Sequence, residues 1–137
     1  MKYTRHRSLS MIHTPLRPTD GELMILRVLW HRGPSTVRQA HDVLERDRPT
    51  GYTTVLKLLQ IMHEKGLVLR DESERRHVYR PRASEQQTQR QLVRDLADRA
   101  FDGSIARLVL QALAVRRPNR EEMADIRAAL AEADPET

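Results

Sequence analysis

Three stretches in the first half of the chain place apolar residues at helical spacing. They run from Thr19 to Gly33, from Ser35 to the turn at 48–51, and from Tyr52 to about Lys65, which predicts three amphipathic helices. The first helix ends at Gly33-Pro34, the second at the turn over 48–51 and the third at Gly66. The third helix places its apolar side toward a core and leaves its polar side free. Its apolar side consists of Val55, Leu58, Leu59 and Met62.

Polar residues that can cap a helix are found at the predicted helix N-termini. Thr19 with Glu22 fits a capping box, in which the hydroxyl and the carboxylate each bind a free backbone amide. Ser35 is placed to cap the second helix. Residues 84–87 form a further capping box, and residues 119–122 predict the cap of a later helix.

After Gly66 the apolar pattern changes from helical to strand-like. Leu67–Arg70 and His77–Arg80 are short predicted strands, joined by the polar tip Asp71–Arg76, and Pro81 closes the hairpin. A lone hairpin is not stable in water, so it must pack against the helices. Three helices followed by a hairpin is the element order of a winged helix-turn-helix.

The last third of the chain predicts three short helices, with a break at 102–104 and an end at 116–118. Their apolar stripes are too narrow to form a core alone, so a second copy of the chain is the expected partner. The residues expected at this dimer interface are Leu92, Leu96, Phe101, Ile105, Leu108, Val109, Met123, Ile126 and Leu130.

The predicted fold is therefore mainly α with a small β-hairpin. We expect a flexible basic arm over 1–18, a winged helix-turn-helix DNA-binding domain over 19–83 and a helical dimerisation domain over 84–137.

Charge divides the chain in the same way. Residues 1–83 hold 16 Lys and Arg against nine Asp and Glu, whereas residues 84–137 hold eight against ten. A basic front half and a slightly acidic back half indicate that the front half contacts a polyanion.

Several chemistries are excluded or disfavoured by composition. The chain has no cysteine, and its six histidines show no metal-ligand spacing, so we expect no metal and no cofactor. No set of nucleophile, base and orienting group can be argued, so we do not expect an enzyme. The 137-residue chain shows no apolar run of membrane-spanning length and no secretory signal, so we expect a cytoplasmic protein without membrane insertion.

Double-stranded DNA is the polyanion that this element order suits, because a helix fits the major groove and the first turns of a recognition helix supply base contacts. Thr and Gln can read bases, Lys can reach a guanine or a phosphate, and wing arginines can bind the backbone. The expected DNA-binding residues are Ser35, Thr36, Gly51, Tyr52, Thr53, Thr54, Lys57, Gln60, Arg75, Arg76 and Arg80.

Residues 19–133 resemble the BlaI/MecI/CopY family of penicillinase repressors. The resemblance rests on short motifs in a specific order and spacing. They are Thr-Asp-Gly-Glu-Leu at 19–23, Val-Leu-Trp at 28–30, Gly-Pro-Ser-Thr-Val at 33–37, Tyr-Thr-Thr-Val-Leu at 52–56, Glu-Lys-Gly-Leu-Val at 64–68, His-Val-Tyr-Arg-Pro at 77–81 and Phe-Asp-Gly-Ser at 101–104.

The resemblance implies a homodimeric repressor on a palindromic operator, often built from TACA/TGTA half-sites, with the base-reading segment on Tyr52–Lys57. Many relatives carry Arg where this chain has Ile61, so the chain lacks a positive charge that those relatives present on the solvent side of the recognition helix. Members of one branch are inactivated by a membrane sensor-protease that cuts before a Phe. The matching bond is Ala100–Phe101, but cut relatives carry Asn where this chain has Ala100. The Cys-x-Cys pairs of the copper-sensing branch are absent.

Two other classes of function stay open at this point. One is a winged helix that docks a protein partner instead of DNA. The other is a metal- or metabolite-responsive sensor without proteolytic induction, with its effector in the back half.

Overall fold

The computed structural model describes residues 17–136, so the arm predicted for 1–18 lies outside the described residues except at Arg17 and Pro18. Six helices and two strands follow one another in these residues. They are α1 (Asp20–Arg32), α2 (Val37–Asp47), α3 (Tyr52–Lys65), β1 (Val68–Asp71), β2 (Val78–Pro81), α4 (Glu85–Ala100), α5 (Ile105–Val115) and α6 (Arg120–Ala133).

Local capping sets the helix starts, as the sequence predicts. The Thr19 amide donates to Glu22 Oε1 at 2.9 Å, and the Glu22 amide donates back to the Thr19 hydroxyl. Reciprocal pairs of the same kind join Ser84 to Gln87 before α4, and Asn119 to Glu122 at the start of α6. Gly66 ends α3 in the left-handed conformation, at a φ of 83°, which glycine adopts without strain.

The predicted cap at Ser35 is wrong by one residue. Thr36 caps α2 through a reciprocal pair with Gln39. Ser35 is instead completely buried, and its backbone pairs with Tyr79 of β2 in an isolated antiparallel bridge, with N–O distances of 2.9 and 2.8 Å. The cause is a contact 44 residues away along the chain, which local sequence pattern cannot show.

Both strands of the hairpin begin and end one residue later along the chain than predicted. β1 and β2 are antiparallel, with Val68 opposite Pro81, and Leu69, Arg70 and Asp71 opposite Arg80, Tyr79 and Val78. The bridge at Ser35 adds a third backbone segment to this small sheet. The hairpin is therefore attached to the segment between α1 and α2, which fixes its position beside the helices.

A single apolar core joins α1, α2, α3 and the hairpin. Its largest fully buried side chains include Tyr79, Ile25, Leu29, Leu59 and Met62, and Val55, Leu59 and Met62 confirm the predicted core side of α3. Three packed helices with an attached hairpin make this part of the chain a winged helix-turn-helix, so the predicted fold class is confirmed.

The described chain divides into two compact units, with the division between Leu92 and Val93. The second unit contains the rest of α4 together with α5 and α6. Among its described residues Ala97 is buried, whereas α5 and α6 contain no buried residue. No helix in the described range is both long enough and apolar enough to span a membrane.

Candidate nucleic-acid interface

Helix α3 has one buried side and one polar side. Val55, Leu59 and Met62 are completely buried, and Leu56 and Leu58 pack against the core beside them, so the polar residues of the helix point away from the core. The polar side exposes Thr53, Thr54, Lys57, Gln60 and Glu64. This surface presents hydroxyl, amide and ammonium groups from the first three turns, as predicted from the sequence.

The start of α3 leaves backbone amides for an outside partner. Its N-cap is Gly51, which has no side chain to accept a hydrogen bond from the first turn. Helix starts carry free N–H groups and a partial positive charge, which suit a phosphate. The N-terminus of α3 is thus chemically suited to a DNA backbone.

The turn before α3 is held by side chains of α2. His41 Nε2 lies 2.7 Å from the Thr50 carbonyl oxygen, and the Thr50 amide donates to Glu45 Oε2 at 3.0 Å. These two bonds attach the last turn residue to α2. The angle between the two helices of the helix-turn-helix is therefore set by polar contacts as well as by the core.

An open groove of about 350 Å³ lies between the start of α2, helix α3 and the hairpin. Four arginines line it: Arg38, Arg70, Arg75 and Arg76. The Arg38 guanidinium lies 4.9 Å from the centre of the Tyr52 ring, within the range of a cation–π contact. We call this feature the arginine groove.

The structure brings some of the predicted DNA-binding residues together in this groove. Thr36, Tyr52, Gln60, Arg75 and Arg76 line it. Gly51, Thr53, Thr54 and Lys57 are exposed on the adjoining surface of α3 and do not line the groove.

Two predicted residues lie elsewhere. Ser35 is buried, and its hydroxyl donates to the Gly33 carbonyl oxygen and accepts from Arg32, so it does not belong to this surface. Arg80 follows Tyr79 on β2, and neighbouring side chains on a strand point to opposite faces. Because Tyr79 lines the groove, Arg80 lies on the other face of the hairpin.

Sequence reasoning missed Arg38, Arg70 and His77, which also line the groove. Arg38 follows the Thr36 cap by two residues, and Arg70 lies directly opposite the groove-lining Tyr79. A strand alternation argument could have found Arg70 and His77 once the hairpin register was known. Arg38 could be assigned to the groove only once the packing of α2 against α3 was known.

The hairpin carboxylates stay ionised beside these arginines. A hydrogen bond from Arg70 lowers the pKa of the Glu72 carboxyl below its ordinary value. A backbone hydrogen bond from Ser73 lowers the pKa of Asp71, and nearby Arg80 adds to this. The hairpin therefore carries both signs of charge at neutral pH.

Glu22 holds α1 to the end of α3. Lys65 Nζ lies 2.6 Å from Glu22 Oε1, and Glu22 is 2% exposed. Burial raises the pKa of Glu22, but its hydrogen bonds with Lys65 and Thr19 outweigh that effect and leave the pKa below the ordinary value. The carboxylate is thus both the capping group predicted from the sequence and an ion-pair partner for Lys65.

The described residues contain no group of three or more His, Cys, Asp or Glu side chains placed to bind a metal ion.

Residues 18–132 match the sequence model of the family described as penicillinase repressor. The chain belongs to this family. Relatives similar to it include the "Transcriptional regulator BlaI" of two Mycobacterium tuberculosis strains, CDC 1551 / Oshkosh and ATCC 25618 / H37Rv. Each is 35% identical over 114 residues, which covers 82% of this chain and 82% of the relative.

A solved structure of a MarR family protein from Bacillus stearothermophilus is also similar. It has 22% identity and a TM-score of 0.46, and the match covers 89% of this chain and 91% of that chain. The family and its relatives make this protein a regulator of transcription and not an enzyme.

The residues expected at a dimer interface of this penicillinase repressor family protein are all at least partly accessible in the single chain. Leu96 is 50% exposed, Ile105 49%, Val109 37% and Leu130 61%. The partly buried members are Leu92, Phe101, Leu108, Met123 and Ile126. Helix α5 also exposes Leu110 and Val115, which lie outside the predicted stripe.

The bond expected to be cut in part of the penicillinase repressor family lies at the end of α4. Ala100 is its last residue, and the Phe101 amide donates to the Ala97 carbonyl oxygen at 2.9 Å. Asp102 and Gly103 then adopt φ values of 52° and 78°, which turn the chain into α5. The Ala100–Phe101 bond therefore lies in a hydrogen-bonded helix end.

Proposed function

We propose that this protein represses transcription by binding a palindromic DNA operator as a homodimer, in the cytoplasm. The observation that carries the proposal is the arginine groove beside the exposed polar side of α3. Positive charge supplies affinity for the phosphate backbone, and polar side chains at the start of a recognition helix supply base contacts.

The two surfaces take different parts in binding. Thr53, Thr54 and Gln60 carry hydroxyl and amide groups that can hydrogen-bond base edges, and Lys57 can reach a guanine or a phosphate. Arg75 and Arg76 lie near the hairpin tip, where the wing of such a domain follows the DNA backbone. Sequence preference thus comes from the Thr and Gln side chains of α3, and general affinity comes mainly from Lys57 and the wing arginines.

The second unit joins two copies of the chain. Its exposed Leu, Ile and Val side chains would bury apolar surface against a copy of themselves, which is favourable at about 25 cal/mol per Å². A two-fold dimer presents two copies of α3 to two half-sites related by the same symmetry. An inverted repeat is therefore the expected operator.

Selection from a random duplex library tests the proposal without assuming any operator sequence. The tagged full-length protein is used to enrich bound duplexes over several rounds at moderate salt. We expect an inverted repeat, with TACA/TGTA half-sites as the first candidates from the family resemblance. Enrichment of no common sequence, or of a single unrepeated site, contradicts the proposal.

For induction we propose cleavage at Ala100–Phe101 by a membrane sensor-protease. Proteases bind extended peptide, so the last turn of α4 must open before this bond is cut. Thermolysin prefers to cut before bulky apolar residues and serves as a probe. We expect cleavage there to be slow in the native protein and fast once the second unit is unfolded, whereas equal rates contradict the required opening.

A further inference from the structure

Arg70 lines the arginine groove and forms an ion pair with Glu72 of the hairpin tip. Nε and Nη2 of Arg70 each lie 2.7 Å from Oε2 of Glu72. The Arg70 side chain is 22% exposed and that of Glu72 is 51% exposed. Tyr79 lies directly opposite Arg70 in the hairpin and is buried. Its guanidinium is therefore held at the groove wall with a carboxylate already bound.

The other groove arginines have no such partner in the described part of the chain. Arg38 lies over the Tyr52 ring, which leaves its positive charge uncompensated. Neither Arg75 nor Arg76 forms an ion pair with a described acidic side chain, and both are exposed. Arg70 thus differs from them because its charge is neutralised before any ligand arrives.

We propose that Glu72 competes with DNA phosphate for Arg70 and so limits the affinity of this repressor for every duplex. The inference rests on the proposed DNA-binding function and adds that an ion pair within the protein sets how tightly it binds DNA. A guanidinium presents the same donors to a carboxylate and to a phosphate, so one group must leave before the other binds. Half-exposed ion pairs are weak, which makes the exchange possible and its cost modest.

The competition acts on backbone affinity and leaves base preference unchanged. Arg70 lines the groove from the hairpin, and of the polar α3 side chains proposed to contact DNA only Gln60 lines it too, whereas Thr53, Thr54 and Lys57 do not. Removing Glu72 therefore strengthens binding to operator and to unrelated DNA by the same factor. It also adds one cation to the phosphate contacts, which steepens the dependence of log K on log salt by up to about 0.9.

Glu72→Gln tests the proposal, and Glu74→Gln is its matched control. Both changes remove one negative charge from an exposed side chain of the hairpin tip, but Glu74 forms no ion pair with the groove arginines in the described chain. Fluorescence anisotropy is measured at several salt concentrations. The probes are a labelled TACA/TGTA inverted-repeat duplex and a scrambled duplex of equal length.

We expect Glu72→Gln to raise the association constant about three- to fivefold on both duplexes, and Glu74→Gln to raise it less than about twofold. When Arg70→Ala is also present, Glu72→Gln should raise the association constant no more than Glu74→Gln does. If Arg70→Ala does not fold, as judged by circular dichroism, the salt dependence of the two single variants decides.

Equal gains from the two single variants contradict the proposal, as does a full gain that persists without Arg70. A gain on one duplex alone also contradicts it. If no chain, including the unaltered one, binds either duplex at low salt, the proposed DNA-binding function fails instead. The two failures are therefore distinguishable.

Discussion

At the scale of single residues, the proposed interface separates side chains that read bases from side chains that bind phosphate. Thr53 and Thr54 have short side chains close to the helix start, so they reach only atoms directly in front of α3. Lys57 and the groove arginines are long and carry full charges. The contacts of the short neutral groups depend on the base sequence. The long cations contact the phosphate backbone, which is the same in every sequence.

Thr54→Ala and Lys57→Ala should therefore change binding in different ways. Thr54→Ala removes a hydrogen-bonding group or a methyl contact, and we expect it to reduce discrimination at one base pair by about 1–3 kcal/mol. Lys57→Ala should weaken binding to all sequences and reduce the salt dependence by about one ion. Titration of operator and single-base variants at two salt concentrations measures both effects; identical profiles for the two variants would contradict this division.

Glu22→Gln should destabilise the winged helix in a pH-dependent way. The folded state lowers the pKa of Glu22, so its ionised form stabilises the fold above the unfolded pKa, and that contribution is lost as pH falls through the folded value. We expect a loss of about 1–2 kcal/mol in the free energy of unfolding at pH 7, because Lys65 loses its buried partner.

Urea unfolding at several pH values measures this loss, with Glu64→Gln as the control at an exposed glutamate beside Lys65. The difference between Glu22→Gln and the unaltered protein should shrink below about pH 4.5, where carboxylates protonate in the unfolded chain. A difference that is constant down to about pH 3, or an equal loss in Glu64→Gln, would count against the ion pair.

At the scale of elements, side chains that connect distant segments fix α3 and the hairpin in place. His41 and Glu45 of α2 hold Thr50 before α3, and Ser35 pairs with Tyr79 of β2. The Trp30 indole N–H donates to the Ala83 carbonyl oxygen at 3.1 Å, and Arg82 Nε donates to that of Gly66. The start of α4 is thereby attached to the winged helix.

Trp30→Phe should loosen the segment that follows the hairpin. The change keeps an aromatic ring but removes the indole N–H, so the Ala83 carbonyl oxygen loses its donor. We expect the free energy of unfolding to fall by about 1 kcal/mol, together with faster amide hydrogen exchange around residues 83–85. Gln86→Ala is the control at an exposed side chain of the same segment, and an equal loss there would contradict a special role for Trp30.

Sequence pattern can predict the elements because their causes are local. Thr19, Ser84 and Asn119 each lie three residues before the side chain that completes the cap, and the stripe of α3 repeats within two turns. Sequence pattern cannot predict contacts between residues that are distant along the chain. The Ser35–Tyr79 bridge, the Glu22–Lys65 pair and the packing of Arg38 over Tyr52 depend on the tertiary fold. This is why the pattern misplaces Ser35 and misses two groove arginines.

At the scale of the whole molecule, the chain places its basic groove and its exposed apolar helices in two separate units. The first unit has its own core, whereas α5 and α6 have no buried residue in the single chain. We infer that a second copy covers these helices. DNA binding then gains from two linked half-sites, since the second contact is made at high effective concentration.

A stop codon after Leu92 should separate folding from tight binding. The shortened chain keeps the whole first unit, including the contacts of Trp30 with Ala83 and of His31 with Glu85. We expect a folded monomer by light scattering, with operator affinity reduced by about a hundredfold or more. An unchanged affinity, or a monomer in the full-length protein at micromolar concentration, would contradict dimerisation through the second unit.

Sequence-specific repression is tested by the ratio of two dissociation constants for the full-length protein at about physiological salt. One is for the inverted-repeat duplex enriched from the random library, and the other is for a scrambled duplex of equal length and composition. A sequence-specific repressor should bind the first at least about a thousandfold more tightly. Equal dissociation constants for the two duplexes would contradict sequence-specific DNA binding by this protein.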